Sequence, residues 1–186
     1  MSTQAAPAPV FPVGTWVVDP SHSRIGFAVR HLGIATIRGE FTEFEGTLEI
    51  ARDFAHSRVR GTVKTASVDT NEAKRDGHLR SGDFFDVENY PELTFESRRI
   101  EATGDDTFSV VGDLTLHGVT NEIQLTAELM GTEVDPYGNE RLGLEAAGEL
   151  SRGAYGMKFN QVLGSGNVAV SDKVRLVLDI SAAKQA

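Results

Sequence analysis

Apolar and polar residues alternate with period two along nearly the whole chain, and this constrains its fold more than any other feature. From Phe108 to Leu116, the residues Phe108, Val110, Gly112, Leu114 and Leu116 share one face, and Ser109, Val111, Asp113 and Thr115 share the other. His117-Gly118 then reads as a turn. After it, Val119, Ile123, Leu125, Ala127 and Leu129 oppose Thr120, Glu122, Gln124, Thr126 and Glu128. Two half-buried antiparallel strands joined by a tight hairpin fit this pattern. The same rhythm runs through residues 24–30, 58–64, 142–150 and 174–180, with further strands at 15–18 and 93–100. Between Phe41 and Phe44 the apolar parity flips, which predicts a bulge or bend in the long segment 34–50. Eight or more such strands cannot remain an open sheet, because one apolar face and two edges would stay bare. Closure into a barrel or folding into a sandwich removes both problems.

One stretch breaks the rhythm. Residues 71–91, NEAKRDGHLRSGDFFDVENYP, crowd charge, aromatics and a histidine together. Helical propensity concentrates at 72–80, and a second short turn is expected near 151–158. A single non-strand insertion in an all-β chain either caps the architecture or forms part of a site. Asp83-Phe84-Phe85-Asp86 suits both roles, as a plug for a barrel end or as the apolar wall of a pocket.

With 186 residues and no internal linker, one domain is the default. It is expected over 13–183, behind an Ala/Pro-rich flexible lead-in over 1–12. A net charge of −9 argues against a nucleic-acid surface and against attachment to anionic lipid. The absence of cysteine excludes disulfides, thiolate nucleophiles and Cys-ligated metals. No apolar run is long enough to span a membrane, and no secretory leader is evident. The expectation is a cytoplasmic protein with no stable membrane insertion.

The candidate chemistry is sparse. His22, His31, His56, His78 and His117 form no HxH or HExxH pair, so independent polar histidines are preferred to a metal or acid–base cluster. Ser21-His22-Ser23 lacks a nucleophile elbow, and Gly164-Ser165-Gly166 lacks the Lys-Ser/Thr of a phosphate loop. Gly39, Gly46, Gly61, Gly112 and Gly148 fall inside strands, where they mark either curvature or unfilled lumen.

Several blocks resemble the YceI-like, polyisoprenoid-binding, lipocalin-like family. The first comprises residues 19–23 (DPSHS), 27–33 (FAVRHLG) and 38–41 (RGEF). The second comprises 68–71 (VDTN), 75–86 (RDGHLRSGDFFD) and Tyr90-Pro91. The third is 114–120 (LTLHGVT), the fourth runs from Arg152 to Met157, and a weaker fifth covers 170–174. The match extends from about Gly14 to Ile180. In the fourth block Ala154 stands where members usually carry an acidic residue, and the leader found in many members is missing here. The resemblance implies an extended eight-stranded antiparallel lipocalin-like barrel with a short helical segment around residues 72–86. It also implies a homodimer and a long isoprenoid, quinone or similar amphiphile in an apolar channel. Transport, storage and stress response would all use such a channel. The expected lining is Phe27, Val29, Phe41, Phe84, Phe85, Phe95, Leu114, Leu116 and Met157, with a polar head near His31 or Arg38. No metal, cofactor or catalytic residue is expected. The alternatives are an enzyme in which His22, His31, His78 and His117 gather with Asp19 or Asp76, and a packed barrel acting only through its surface.

Overall fold

A computed structural model describes residues 11–186. Eleven strand segments and one helix follow each other as β1 (Gly14–Val18), β2 (Arg24–His31), β3 (Ala35–Phe41), β4 (Phe44–Ile50), β5 (Arg58–Lys64), β6 (Val68–Asp69), α1 (Ala73–Arg80), β7 (Glu92–Ala102), β8 (Thr107–Leu116), β9 (Val119–Val134), β10 (Glu140–Ser151) and β11 (Val170–Lys184). The segments amount to eight barrel strands, because three strands are each broken once. A 3-10 turn at Pro20–His22 separates β1 from β2, and another at Thr65–Ser67 separates β5 from β6. A bend at 42–43 separates β3 from β4, where the apolar parity flips. All pairings are antiparallel, in the order β1-β4-β5-β7-β8-β9-β10-β11, and β1 pairs back onto β11 to close the ring. β2, β3 and β6 continue the wall from the other half of β11. Closure leaves no free edge along the ring, which is how a meander of one-faced strands covers both its core and its hydrogen-bonding edges.

The hairpin between β8 and β9 forms as the alternation requires. Leu116 pairs with Val119, and His117 and Gly118 occupy φ 54° and 73°, the mirror-image turn that matches strand twist.

The two ends of the barrel are closed differently. At one end Phe11 stacks on Phe54, with ring centroids 4.1 Å apart, and both rings meet Phe108 edge-on at 5.4 and 5.7 Å. Trp16 lies beneath them, buried, its indole N–H donating to the Pro12 carbonyl (3.0 Å). Phe11 and Pro12 are thus packed parts of the fold, contrary to the lead-in expected over 1–12. The rest of that lead-in, 1–10, lies outside the described residues.

At the other end β6 has no partner on its far side among the described residues, and the insertion 71–91 covers the opening. The helix expected within 72–86 runs only over 73–80. Glu72 caps its start, accepting from the Arg75 N–H, and Ser81 is extended and ends it. Tight turns follow, tied by Phe85 N–H to Leu79 O (2.9 Å) and Tyr90 N–H to Asp86 O (2.8 Å). Thr65 anchors the block to the wall, its hydroxyl donating to Tyr90 O (2.7 Å).

Candidate functional site

Inside the barrel the apolar faces do not meet. They leave a cavity of about 260 Å³ whose lining is almost entirely hydrocarbon. On β8 it extends from Phe108 to Leu116. Eight residue steps of about 3.3 Å give about 26 Å along the strand. A strand tilt of about 40° leaves roughly 20 Å along the barrel axis. That exceeds half the hydrocarbon thickness of a bilayer, about 15 Å.

The nine residues Phe27, Val29, Phe41, Phe84, Phe85, Phe95, Leu114, Leu116 and Met157 all border this cavity. Two strand glycines let rings lie flat against the wall. A Cβ on Gly39 would stand 2.4 Å from the Phe27 ring, and one on Gly112 would stand 2.6 Å from the Phe95 ring. Gly46 and Gly61 differ from these. They pair directly across β4 and β5 and both face the cavity, so neither contributes a side chain there, and only Val18 packs over Gly46, 3.0 Å from where its Cβ would stand. A Cβ on Gly61 would meet nothing closer than Glu45 O at 3.5 Å. Curvature alone does not explain this pair, which gives the lumen its bare stretch.

His31 and Arg38 do not reach the cavity. His31 has the lumen parity, but it is the last residue of β2, paired with Val170 and Ala35 at the rim. Arg38 pairs with Ala28 on the outer face and is exposed. Its neighbours Gly39 and Phe41 face inward, so parity alone places Arg38 outside.

The charged group that does lie at the cavity is Arg152, only 5% exposed. Its Nε donates to Ser171 O (2.9 Å), Nη1 to Met157 O (2.8 Å) and Phe159 O (2.9 Å), and Nη2 to Val170 O (3.1 Å). No carboxylate comes within ion-pair distance among the described residues, and the guanidinium lies 5.9 Å from the Phe84 ring centre. Burial pushes its pKa down from the usual arginine value. Phe84 packs edge-on against His78 (5.0 Å) and Phe159 (5.4 Å), so arginine and aromatics together close this end. Sequence reading missed Arg152 because its partners are backbone carbonyls of residues 157–171, which carry no side-chain signature.

The histidines stay apart. His78 pairs with Asp83 (2.8 Å), and His117 contacts Tyr155 O (2.8 Å). Asp76, buried, accepts from the Thr70 N–H (2.9 Å) and hydroxyl. The gathering of His22, His31, His78 and His117 around Asp19 or Asp76 does not form. Ser21, His22 and Asp19 do meet, but the serine hydroxyl (3.0 Å) and the carboxylate (2.8 Å) both contact the same nitrogen, Nδ1. A proton relay needs the two ring nitrogens to serve different partners, so this cluster is no catalytic triad. Asp19 instead joins a structural bridge. Arg141 donates to Asp19 (2.7 Å) and to Asp135 (2.7 Å), tying the end of β1 to the turn between β9 and β10.

Among the described residues no helix is long and apolar enough to cross a membrane.

Comparison with known proteins agrees with this architecture. A family model described as the YceI-like domain matches residues 16–182. Protein YceI of Escherichia coli O17:K52:H18 is 38% identical over 168 residues, covering 90% of this chain and 84% of its own. A UPF0312 protein of Azotobacter vinelandii is 36% identical over 173 residues, covering 91% and 87%. Among solved structures, the YceI protein of Campylobacter jejuni superposes with a TM-score of 0.72 at 27% identity, covering 84% of this chain and 90% of that one. A polyisoprenoid-binding domain from Saccharophagus degradans superposes with a TM-score of 0.68 at 18% identity, covering 94% and 100%. The closed eight-stranded barrel and the near-complete family match lead to one assignment: the chain belongs to the YceI-like family.

Proposed function

We propose that the barrel is a non-enzymatic carrier for the apolar chain of a long amphiphile, a polyisoprenoid or similar lipid. The observation that carries this reading is the hydrocarbon-lined lumen. Its lining side chains, including Ile25, Phe27, Val29, Phe95, Leu176 and Leu178, are only partly buried although they point inward. A chain filling the lumen removes that surface from water. Each buried methylene contributes about 0.8 kcal/mol, so eight carbons gain roughly 6 kcal/mol before ordering costs. The polyisoprenoid-binding Saccharophagus degradans domain, which shares the fold, supports the same reading.

Gly61→Leu tests it without removing any existing contact. The new side chain enters the bare stretch opposite Gly46, where its Cβ fits. The folded protein should match or exceed wild-type stability in urea, while uptake of a fluorescent prenyl probe falls at least tenfold. Normal uptake by a folded Gly61→Leu barrel would show that chains bind elsewhere.

A further inference from the structure

The ladder between β9 and β10 ends early. Its last pair is Leu125 with Gly148, yet β9 starts at Val119 and β10 continues to Ser151. Over these extra residues β9 pairs only with β8, and β10 only with β11. The wall is therefore unzipped along this seam. Outside it lies a polar cleft of about 580 Å³ bordered by Asn121, Gln124, Thr126 and Ser151. Ile123 and Leu150 border both this cleft and the apolar cavity, so one layer of side chains separates the two.

Tyr155 is inserted into the seam from the turn Gly153–Tyr155 and lines the cleft, 1% exposed. Its buried hydroxyl forms no well-aligned hydrogen bond, although the Asn121 side chain lies within reach, and among the described residues it is the single buried side-chain polar atom in that condition. The neighbouring Asn121 amide donates to Ala154 O instead (3.0 Å). A buried hydroxyl left unpaired is costly and calls for a partner from outside the fold.

We infer that the β9–β10 seam is a lateral portal, and that the Tyr155 hydroxyl binds the uncharged oxygen head group, a hydroxyl or carbonyl, of the amphiphile whose tail fills the barrel. This rests on the carrier reading above. The chemistry of the cleft selects the head. Glu122 and Glu149 stand at its border, and the cation nearest to hand, Lys173, is engaged by Glu149 (3.3 Å). A phosphate would meet those carboxylates at the border, where no lysine or arginine stands among the lining residues. A neutral oxygen meets a donor whose polar neighbour, the Asn121 side chain, is already committed to Ala154 O.

The test compares three probes on delipidated full-length protein: geranylgeraniol, geranylgeranyl diphosphate and the headless hydrocarbon squalene. Wild type should bind geranylgeraniol more tightly than the diphosphate. Tyr155→Phe should weaken geranylgeraniol about tenfold, the value of one hydrogen bond, and leave squalene unchanged. The apo Tyr155→Phe protein should be no less stable than wild type, since only an unpaired hydroxyl is removed. Head position is read separately. The chain lacks cysteine, so a bimane placed on Thr126→Cys is unique. A prenyl chain ending in an uncharged nitroxide should quench it, and should not quench a bimane on Asp105→Cys. Unchanged geranylgeraniol affinity in Tyr155→Phe, tighter binding of the diphosphate, or no quenching at position 126 would each overturn the portal. Failure of squalene to bind wild type would overturn the carrier reading itself, and the portal with it.

Discussion

Arg152 holds four backbone carbonyls, two from the loop (Met157 and Phe159) and two from β11 (Val170 and Ser171), with no carboxylate within ion-pair distance among the described residues. Its planar fork does this and an ammonium cannot, since lysine carries at most three donors from a single point. Arg152→Lys should cost about 2 kcal/mol in urea unfolding, because at least one buried carbonyl loses its partner. An unchanged midpoint would mean that the loop carbonyls find other donors. Asp19 and Asp135 act on the pH axis. The Ser21 and His22 hydrogen bonds and then Arg141 hold Asp19 well below the ordinary 3.8, and Arg141 does the same for Asp135, followed by the Asn139 N–H. Folded carboxylates with depressed pKa values bind fewer protons than unfolded ones. Their contribution is therefore complete above about pH 4 and drains away as the pH falls through the acid range. Urea midpoints at pH 7 and pH 3 should differ more for wild type than for Arg141→Met. Equal differences would show that the bridge is not linked to stability.

At the scale of elements, period-two alternation made the strands, the hairpin turn and the strand-borne wall residues Phe27, Val29, Phe41, Phe95, Leu114 and Leu116 legible, because parity decides which way a strand residue points. Phe84, Phe85 and Met157 lie outside the strands and came from the aromatic break in the rhythm and the family resemblance. The break at 71–91 was equally visible. Parity has no meaning in turns, and there the sequence fell silent. Arg152 and Tyr155, which dominate one end, lie in or beside a single 3-10 turn, and their surroundings depend on where β11 returns. The helix α1 was legible as a helix, and its block as a cap or a site wall, but the way it is anchored was not. Leu79 is its one large apolar side chain facing the cavity, and the rest of the helix is held by specific polar anchors in place of a greasy face. Asp76 accepts twice from Thr70, Arg75 donates to Thr70 Oγ1 (2.7 Å) and O (2.8 Å), and Arg80 donates to Ala66 O (2.8 Å) and Val68 O (3.0 Å). Asp76→Ala should destabilise the fold by about 2–3 kcal/mol by orphaning the Thr70 donors. It should also speed hydrogen exchange in 73–80 before the barrel strands. Uniform loss of protection would show that the lid and the barrel unfold as one unit.

For the whole molecule, the contrast between the two ends matters most. One is stoppered by Phe11, Phe54 and Phe108 in mutual contact. The other is assembled from loops around Phe84, Arg152 and Tyr155. On the carrier reading proposed above, a tube blind at one end would act as a depth gauge: a chain entering from the loop end would stop when its tip touches the rings, and any excess length would stay outside. Phe11→Ala should therefore cost about 3 kcal/mol of stability and move the longest prenyl chain that is fully sheltered upward by one unit. Affinities measured across a homologous series of prenyl alcohols would show the step, and an unmoved step would place the stop elsewhere. Phe11 then sets the calibration of the gauge, and on the carrier reading a single substitution there recalibrates which lipids the barrel counts as the right length.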